Sequence, residues 1–140
     1  MFAIRAPFVA IALALASLSA QAADALSVAQ VEKITGLSGL KVEPSKYDKG
    51  GISFMAGKDL VVAVKQQTAD AYAVWKEQGA KGDQQPLAGV GEDAIASKSA
   101  RYVCFRKSGR GICLTAMPPK MSPIDDDKLL ALAKAAAANL

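Results

Sequence analysis

Two cysteines with eight residues between them, in the run Tyr102-Val103-Cys104-Phe105-Arg106-Lys107-Ser108-Gly109-Arg110-Gly111-Ile112-Cys113-Leu114, restrict this chain more than any other feature. Ser108-Gly109 reads as a two-residue hairpin turn, which sets Lys107 opposite Arg110, Phe105 opposite Ile112, Cys104 opposite Cys113 and Val103 opposite Leu114. Counting outward from the hydrogen-bonded Lys107–Arg110 pair places the cysteines at a non-hydrogen-bonded position, where facing residues approach most closely. Strand alternation puts Val103, Phe105, Ile112 and Leu114 on a core face and Tyr102, Cys104, Arg106, Cys113 and Thr115 on the other. Opposed thiols of this kind form a disulfide in an oxidising compartment and pin the hairpin register. A redox-active pair would instead call for a spacing such as Cys-x-x-Cys at a helix start, so the bond is expected to be structural.

The amino-terminal segment points to such a compartment. Arg5, an apolar run from Phe8 to Leu18 and then Ser19-Ala20-Gln21-Ala22 have the order of a secretory signal, with cleavage expected near Ala22. The apolar run is about half the roughly 20 residues a spanning helix needs. Residues 1–22 are thus expected to be a cleavable signal peptide and residues 23–140 a single α+β domain, with no transmembrane segment in the mature protein. Periplasmic or secreted localisation follows. Of the 17 Lys and Arg against 13 Asp and Glu, Arg5 leaves with the signal, so 16 against 13 remain and the excess falls from +4 to +3.

Along residues 23–140, Ser27 and Gln30 have capping-box spacing ahead of a short helix from Val28 to Gly36, and Leu26 can staple onto Val31. A short strand is read at Leu40 to Glu43. Ile52–Ala56 and Leu60–Val64 form a first hairpin around Gly57-Lys58-Asp59, followed by a helix from a Thr68 cap to Gln78. Ala80 to Gly91 reads as a linker and Glu92 to Ser97 as a further short strand. Ala100–Lys107 and Gly111–Ala116 form the second hairpin. A last helix is expected with Ser122 as cap, Pro123 in its first position and Asp125 as the capping-box acid. Its face is marked by Leu129, Leu132, Ala133, Ala136 and Leu140. The fold class expected is α+β: an antiparallel sheet built from two hairpins, each followed by a helix, plus a short amino-terminal helix.

The chain contains no His, which removes His-based triads and imidazole metal sites. Gly89-Val90-Gly91-Glu92-Asp93-Ala94 spells a dinucleotide fingerprint, but Pro86 and polar residues precede it and no helix follows, so a turn into a strand is expected. Ser38-Gly39-Leu40-Lys41 and Lys107-Ser108-Gly109 spell parts of the penicillin-recognising enzyme motifs without the intermediate element. Asp125-Asp126-Asp127 lacks the alternating ligands of a calcium loop and reads as helix capping. No enzymatic activity, cofactor or metal is expected.

Between Lys98 and Lys120 there are six cations, Lys98, Arg101, Arg106, Lys107, Arg110 and Lys120, and no acid. The leading expectation is therefore an exported binding or accessory protein whose disulfide-pinned hairpin presents Arg106, Lys107 and Arg110 to an anionic envelope component. A nucleic-acid partner is not expected, because the hairpin lacks an aromatic stacking platform. The alternatives are a solvated hairpin whose charges protect an edge strand, and an inhibitor or immunity-type protein that binds an exported enzyme.

Gly89-Val90-Gly91-Glu92-Asp93-Ala94, followed by a two-strand segment and the helix carrying Leu130-Ala131-Leu132-Ala133-Lys134-Ala135-Ala136, resembles small extracytoplasmic bacterial domains of unknown function, many borne by lipoproteins. The likeness covers mainly residues 87–140. It implies an exported, α+β, non-enzymatic protein and brings no catalytic residues. The lipoprotein cysteine is absent from this chain, so a membrane tether is not implied.

Overall fold

Local sequence signals set most of the element boundaries in the computed structural model, which describes residues 20–79 and 82–140. The leader expected over residues 1–22 lies, through residue 19, outside the described residues; Ala20 opens a six-residue helix, α1 (Ala20–Ala25). The next helix, α2 (Val28–Thr35), starts where Ser27 and Gln30 close a reciprocal capping box and ends at Gly36, whose φ of 76° lies in the left-handed region that favours glycine.

Three strands follow: β1 (Lys41–Pro44), β2 (Ile52–Ala56) and β3 (Asp59–Thr68). The β2–β3 turn is shorter than the three residues expected, since Ala56 pairs with Asp59 around Gly57-Lys58. One residue further in, the register shifts so that Phe54 faces Val62 while Met55 faces Leu60. This bulge accompanies the burial of the consecutive Val61 and Val62 in one core cluster, where strict alternation would send them to opposite faces. Thr68 then accepts the Ala71 amide through Oγ1 at 3.1 Å and caps α3 (Ala69–Gly79).

The second half of the sheet is β4 (Gln85–Leu87), β5 (Glu92–Ser97), β6 (Tyr102–Lys107) and β7 (Arg110–Ala116). All seven strands join one antiparallel sheet in the order β1-β2-β3-β7-β6-β5-β4. The α+β class with an antiparallel sheet is as expected, but the sheet is larger than two hairpins. A three-stranded and a four-stranded meander meet where Val62–Thr68 pairs with Arg110–Ala116. The segment Ala80 to Gly91, expected as a linker, contributes the edge strand β4. Each edge strand contains a proline, Pro44 or Pro86, which has no N–H to offer a further strand.

The last helix, α4 (Asp126–Asn139), begins later than Ser122-Pro123 suggested. Ile124 is buried at 1 % exposure, and its carbonyl accepts from the Arg101 guanidinium, which also donates to the Met117 carbonyl. A helix started at Pro123 would need that carbonyl for the Lys128 amide. Asp125 takes that amide instead, at 2.8 Å, and is the cap.

Residues paired across the sheet share a face, so the register sorts the core into two layers. Val62, Val64, Val103, Phe105, Ile112, Leu114 and Ala116 face α1, α2 and α4, where Ala22, Ala25, Leu26, Val31, Leu132 and Ala136 meet them. On the opposite face α3 lays Tyr72 and Trp75 over Ile95, Cys104 and Cys113. Among the described residues no helix is long and apolar enough to cross a membrane.

Candidate functional site

The β6–β7 hairpin has the register read from the sequence: Lys107 faces Arg110, Phe105 faces Ile112 and Cys104 faces Cys113. Both turn residues have positive φ, 52° at Ser108 and 75° at Gly109, as a type I′ turn requires. The cysteine Cα atoms are 4.1 Å apart and the sulfurs are bonded. The bond is sealed from above: Cys104 is 0 % and Cys113 6 % exposed beneath Tyr72, Trp75 and Tyr102. Trp75 contacts Tyr102 edge-on at 5.3 Å between ring centroids, and Tyr72 in a tilted arrangement at 6.1 Å.

This hairpin is not a projecting finger, and its strands are not at an edge. Strand β7 pairs with β3 as far as Thr68–Arg110, and β6 pairs with β5 as far as Glu92–Arg106, so only Lys107 and the Ser108-Gly109 turn extend beyond the neighbouring strands. Ser108 donates its hydroxyl to the Leu140 carbonyl at 2.9 Å, fastening the turn to the end of α4.

Nor do the six cations form one patch. Arg101 is turned inward onto two backbone carbonyls. Arg106 lies on the α3 face, with Nε 3.9 Å from the Asp93 carboxylate. Lys107 and Arg110 are directly paired on the opposite face of the sheet at the hairpin's closed end. The half-exposed Arg110 carries a buried Nη1 that makes no hydrogen bond among the described residues, and the same is true of Arg106 Nε. A buried guanidinium N–H without an acceptor is unfavourable, and an anion at the surface would supply one.

Asp93 was legible only as part of a glycine-rich turn. It sits in a bulge where Glu92 faces Arg106 and Ile95 faces Cys104, so that Asp93 and Ala94 together oppose Phe105. Its φ of 52° rotates the peptide so that its carbonyl accepts the Tyr72 hydroxyl at 2.7 Å, while its carboxylate pairs with Lys76. The fingerprint-like Gly89 to Ala94 is thus a turn into β5, with positive φ at Gly89 and Gly91. Burial, reinforced by the Asp93 charge and opposed by Arg106, pushes the Tyr72 hydroxyl up to about 12 from its ordinary 10. Because the folded chain holds this proton more tightly than the unfolded one, Tyr72 supports stability fully below about pH 10 and loses that support as pH rises toward 12. Urea midpoints measured between pH 8 and 12 should therefore fall above about pH 10. Tyr72→Phe should flatten that fall, leaving the smaller contribution of Tyr102, whose hydroxyl burial also raises.

A groove of about 300 Å³ opens at the other end of β6, between the first turns of α4 and the β4–β5–β6 corner. Its walls include Leu87, Ala96, Val103, Leu129 and Leu130, with Lys98, Tyr102, Asp126 and Asp127 around them. Nothing in the sequence pattern announced it, because its walls come from three strands and a helix. The nearby β5–β6 turn is held by Asp83, which accepts from Ser97 Oγ at 2.5 Å and from the Ser99 amide at 2.8 Å. Those hydrogen bonds hold the Asp83 carboxyl below the usual carboxylate range. Strand β6 runs from the groove at Tyr102 and Val103 to Lys107, roughly 13 to 17 Å at about 3.3 Å per step.

No protein-family model, curated protein or solved structure matches the chain.

Proposed function

We propose that this is an exported, non-enzymatic accessory protein, periplasmic or secreted, that binds an anionic component of the cell envelope at the closed end of its central hairpin. Lys107 and Arg110 are the contact residues, and Arg106 adds positive charge from across the sheet. The observation that carries the reading is the buried Nη1 of Arg110, which has no hydrogen-bond partner among the described residues, beside Lys107 in a stretch from Lys98 to Lys120 that contains no acid. The buried disulfide supports the compartment. Inhibition of an exported enzyme by a protruding loop fits less well, since strand pairing on both sides leaves only Lys107 and the Ser108-Gly109 turn extending beyond the neighbouring strands.

Binding to vesicles containing anionic phospholipid, measured by co-sedimentation, tests the reading. Wild type should bind at low salt and weaken steeply as ionic strength rises, because the charges involved are at the surface. Lys107→Ser with Arg110→Ser should weaken binding by about tenfold or more, a change equivalent to two rim charges. Lys98→Ser with Lys120→Ser removes the same net charge elsewhere and should leave most of the binding intact. Equal losses in the two double variants would reduce the effect to net charge and overturn the site.

A further inference from the structure

The groove at the opposite end of β6 carries a second, independent reading. Its lining is mostly apolar, with Leu87, Val103 and Leu129 among the walls, and it is bordered both by Lys98, just after β5, and by Asp126 and Asp127 in the first turn of α4. The opposite charges do not close it: no ion pair joins Lys98 to either aspartate among the described residues, although all three border one cavity. Lys98, Asp126 and Asp127 are exposed and so hydrated when the groove holds only solvent. A ligand able to use all of these features needs an ammonium group, a carboxylate and an aliphatic body between or beside them.

We infer that this groove binds a small apolar zwitterion, an aliphatic α-amino acid or its dipeptide, with the ammonium toward Asp126 and Asp127, the carboxylate toward Lys98 and the side chain on Leu87, Val103 and Leu129. A simple anion would meet two carboxylates, and a simple cation would leave Lys98 unmatched. A neutral hydrocarbon would gain the apolar walls but desolvate three charges without compensating them. The volume is at the lower end of the range for small-molecule sites, which limits the occupant to the size of one or two residues. A half-open site of this size and a ligand of so few atoms give a dissociation constant on the order of 1 mM.

The test is a titration of the ¹⁵N-labelled protein, following amide shifts at residues 96–103 and 126–130. The probes are leucine, the dipeptide Leu-Leu, 4-methylpentanoate (leucine without its amine) and 3-methylbutylamine (leucine without its carboxylate). Leucine or Leu-Leu should shift those amides in a saturable way, and whichever binds more tightly reports the spacing of the charges. Each half-ligand should bind at least about fivefold more weakly, a loss of about 1 kcal/mol. Lys98→Met, a change at an exposed turn residue, should weaken the zwitterion toward the level of 3-methylbutylamine and leave the amine itself unaffected. Lys107→Ser with Arg110→Ser should leave the titration unchanged, which separates this site from the anion site. Equal binding of all four probes, zwitterion binding that survives Lys98→Met, or no saturable shift up to about 20 mM would each overturn the inference.

Discussion

Gly111→Ala is expected to lower the free energy of unfolding by roughly 2 to 3 kcal/mol, the upper part of the range for overpacking a filled core. A Cβ added at Gly111 would lie 2.6 Å from Tyr72 Cβ and 2.9 Å from its Cγ, closer than carbon atoms approach without something moving. Neither neighbour can give way easily. Gly111 is in the middle of the sheet, paired to Gln67 on one side and Arg106 on the other, so β7 cannot retreat without disturbing two ladders. Tyr72 is anchored at its far end by the hydrogen bond to the Asp93 carbonyl, and its ring covers the disulfide. Space, and not backbone freedom, accounts for the glycine, since Gly111 is not among the positive-φ residues. Gly109→Ala is the contrasting variant: its φ of 75° imposes backbone strain, but no atom lies within 4 Å of the added carbon. It should lose only about 1 kcal/mol. Urea denaturation of the two variants decides the matter, and an unchanged midpoint for Gly111→Ala would mean that α3 does not rest on β7 as described.

Cys104→Ala with Cys113→Ala should destabilise the protein by roughly 2 to 3 kcal/mol through the unfolded chain alone, the loop-closure value for so short a loop. Loss of two buried sulfurs under Tyr72 adds to this. The same geometry predicts a kinetic signature. With Cys104 and Cys113 at 0 % and 6 % exposure, a thiol reductant must wait for the α3 layer to open, so reduction of the native protein should be slow and should accelerate in step with urea-induced unfolding. Thiol labelling after timed exposure to dithiothreitol measures it. Rapid reduction without loss of structure would place the bond outside the aromatic layer.

Some parts of this architecture are carried by neighbouring residues, and those were legible. The Ser27–Gln30 box, the Gly36 stop and the Ser108-Gly109 turn each depend on four or fewer consecutive residues, and from the last of these the facing of Cys104 and Cys113 follows by counting. The start of α4 was misread because a distant side chain, Arg101, competes for the Ile124 carbonyl, a contest invisible to local capping rules. Strand β4 was missed for the same kind of reason: Gln85-Pro86-Leu87 has no strand propensity of its own and is ordered by pairing with Ala94, Ile95 and Ala96. The three cations expected at the anion site, Arg106, Lys107 and Arg110, were legible by counting from the turn, yet the sequence could not show that the Asp93 carboxylate lies beside Arg106. That neighbour comes from β5, and it leaves Lys107 and Arg110 paired at the closed end with Arg106 across the sheet.

The join between the two meanders has a consequence for the order of assembly. Residues paired across β3 and β7 lie from 42 (Thr68 and Arg110) to 54 (Val62 and Ala116) positions apart in the chain, whereas the hairpin that contains both cysteines closes within ten. Hairpins form in about 1 to 10 μs, and distant strand pairings wait for a much larger loop to close. The β6–β7 hairpin can therefore bring its two cysteines face to face before the amino-terminal meander has found its seam. Strand β3 would then dock on a β7 whose register its hairpin partner already holds.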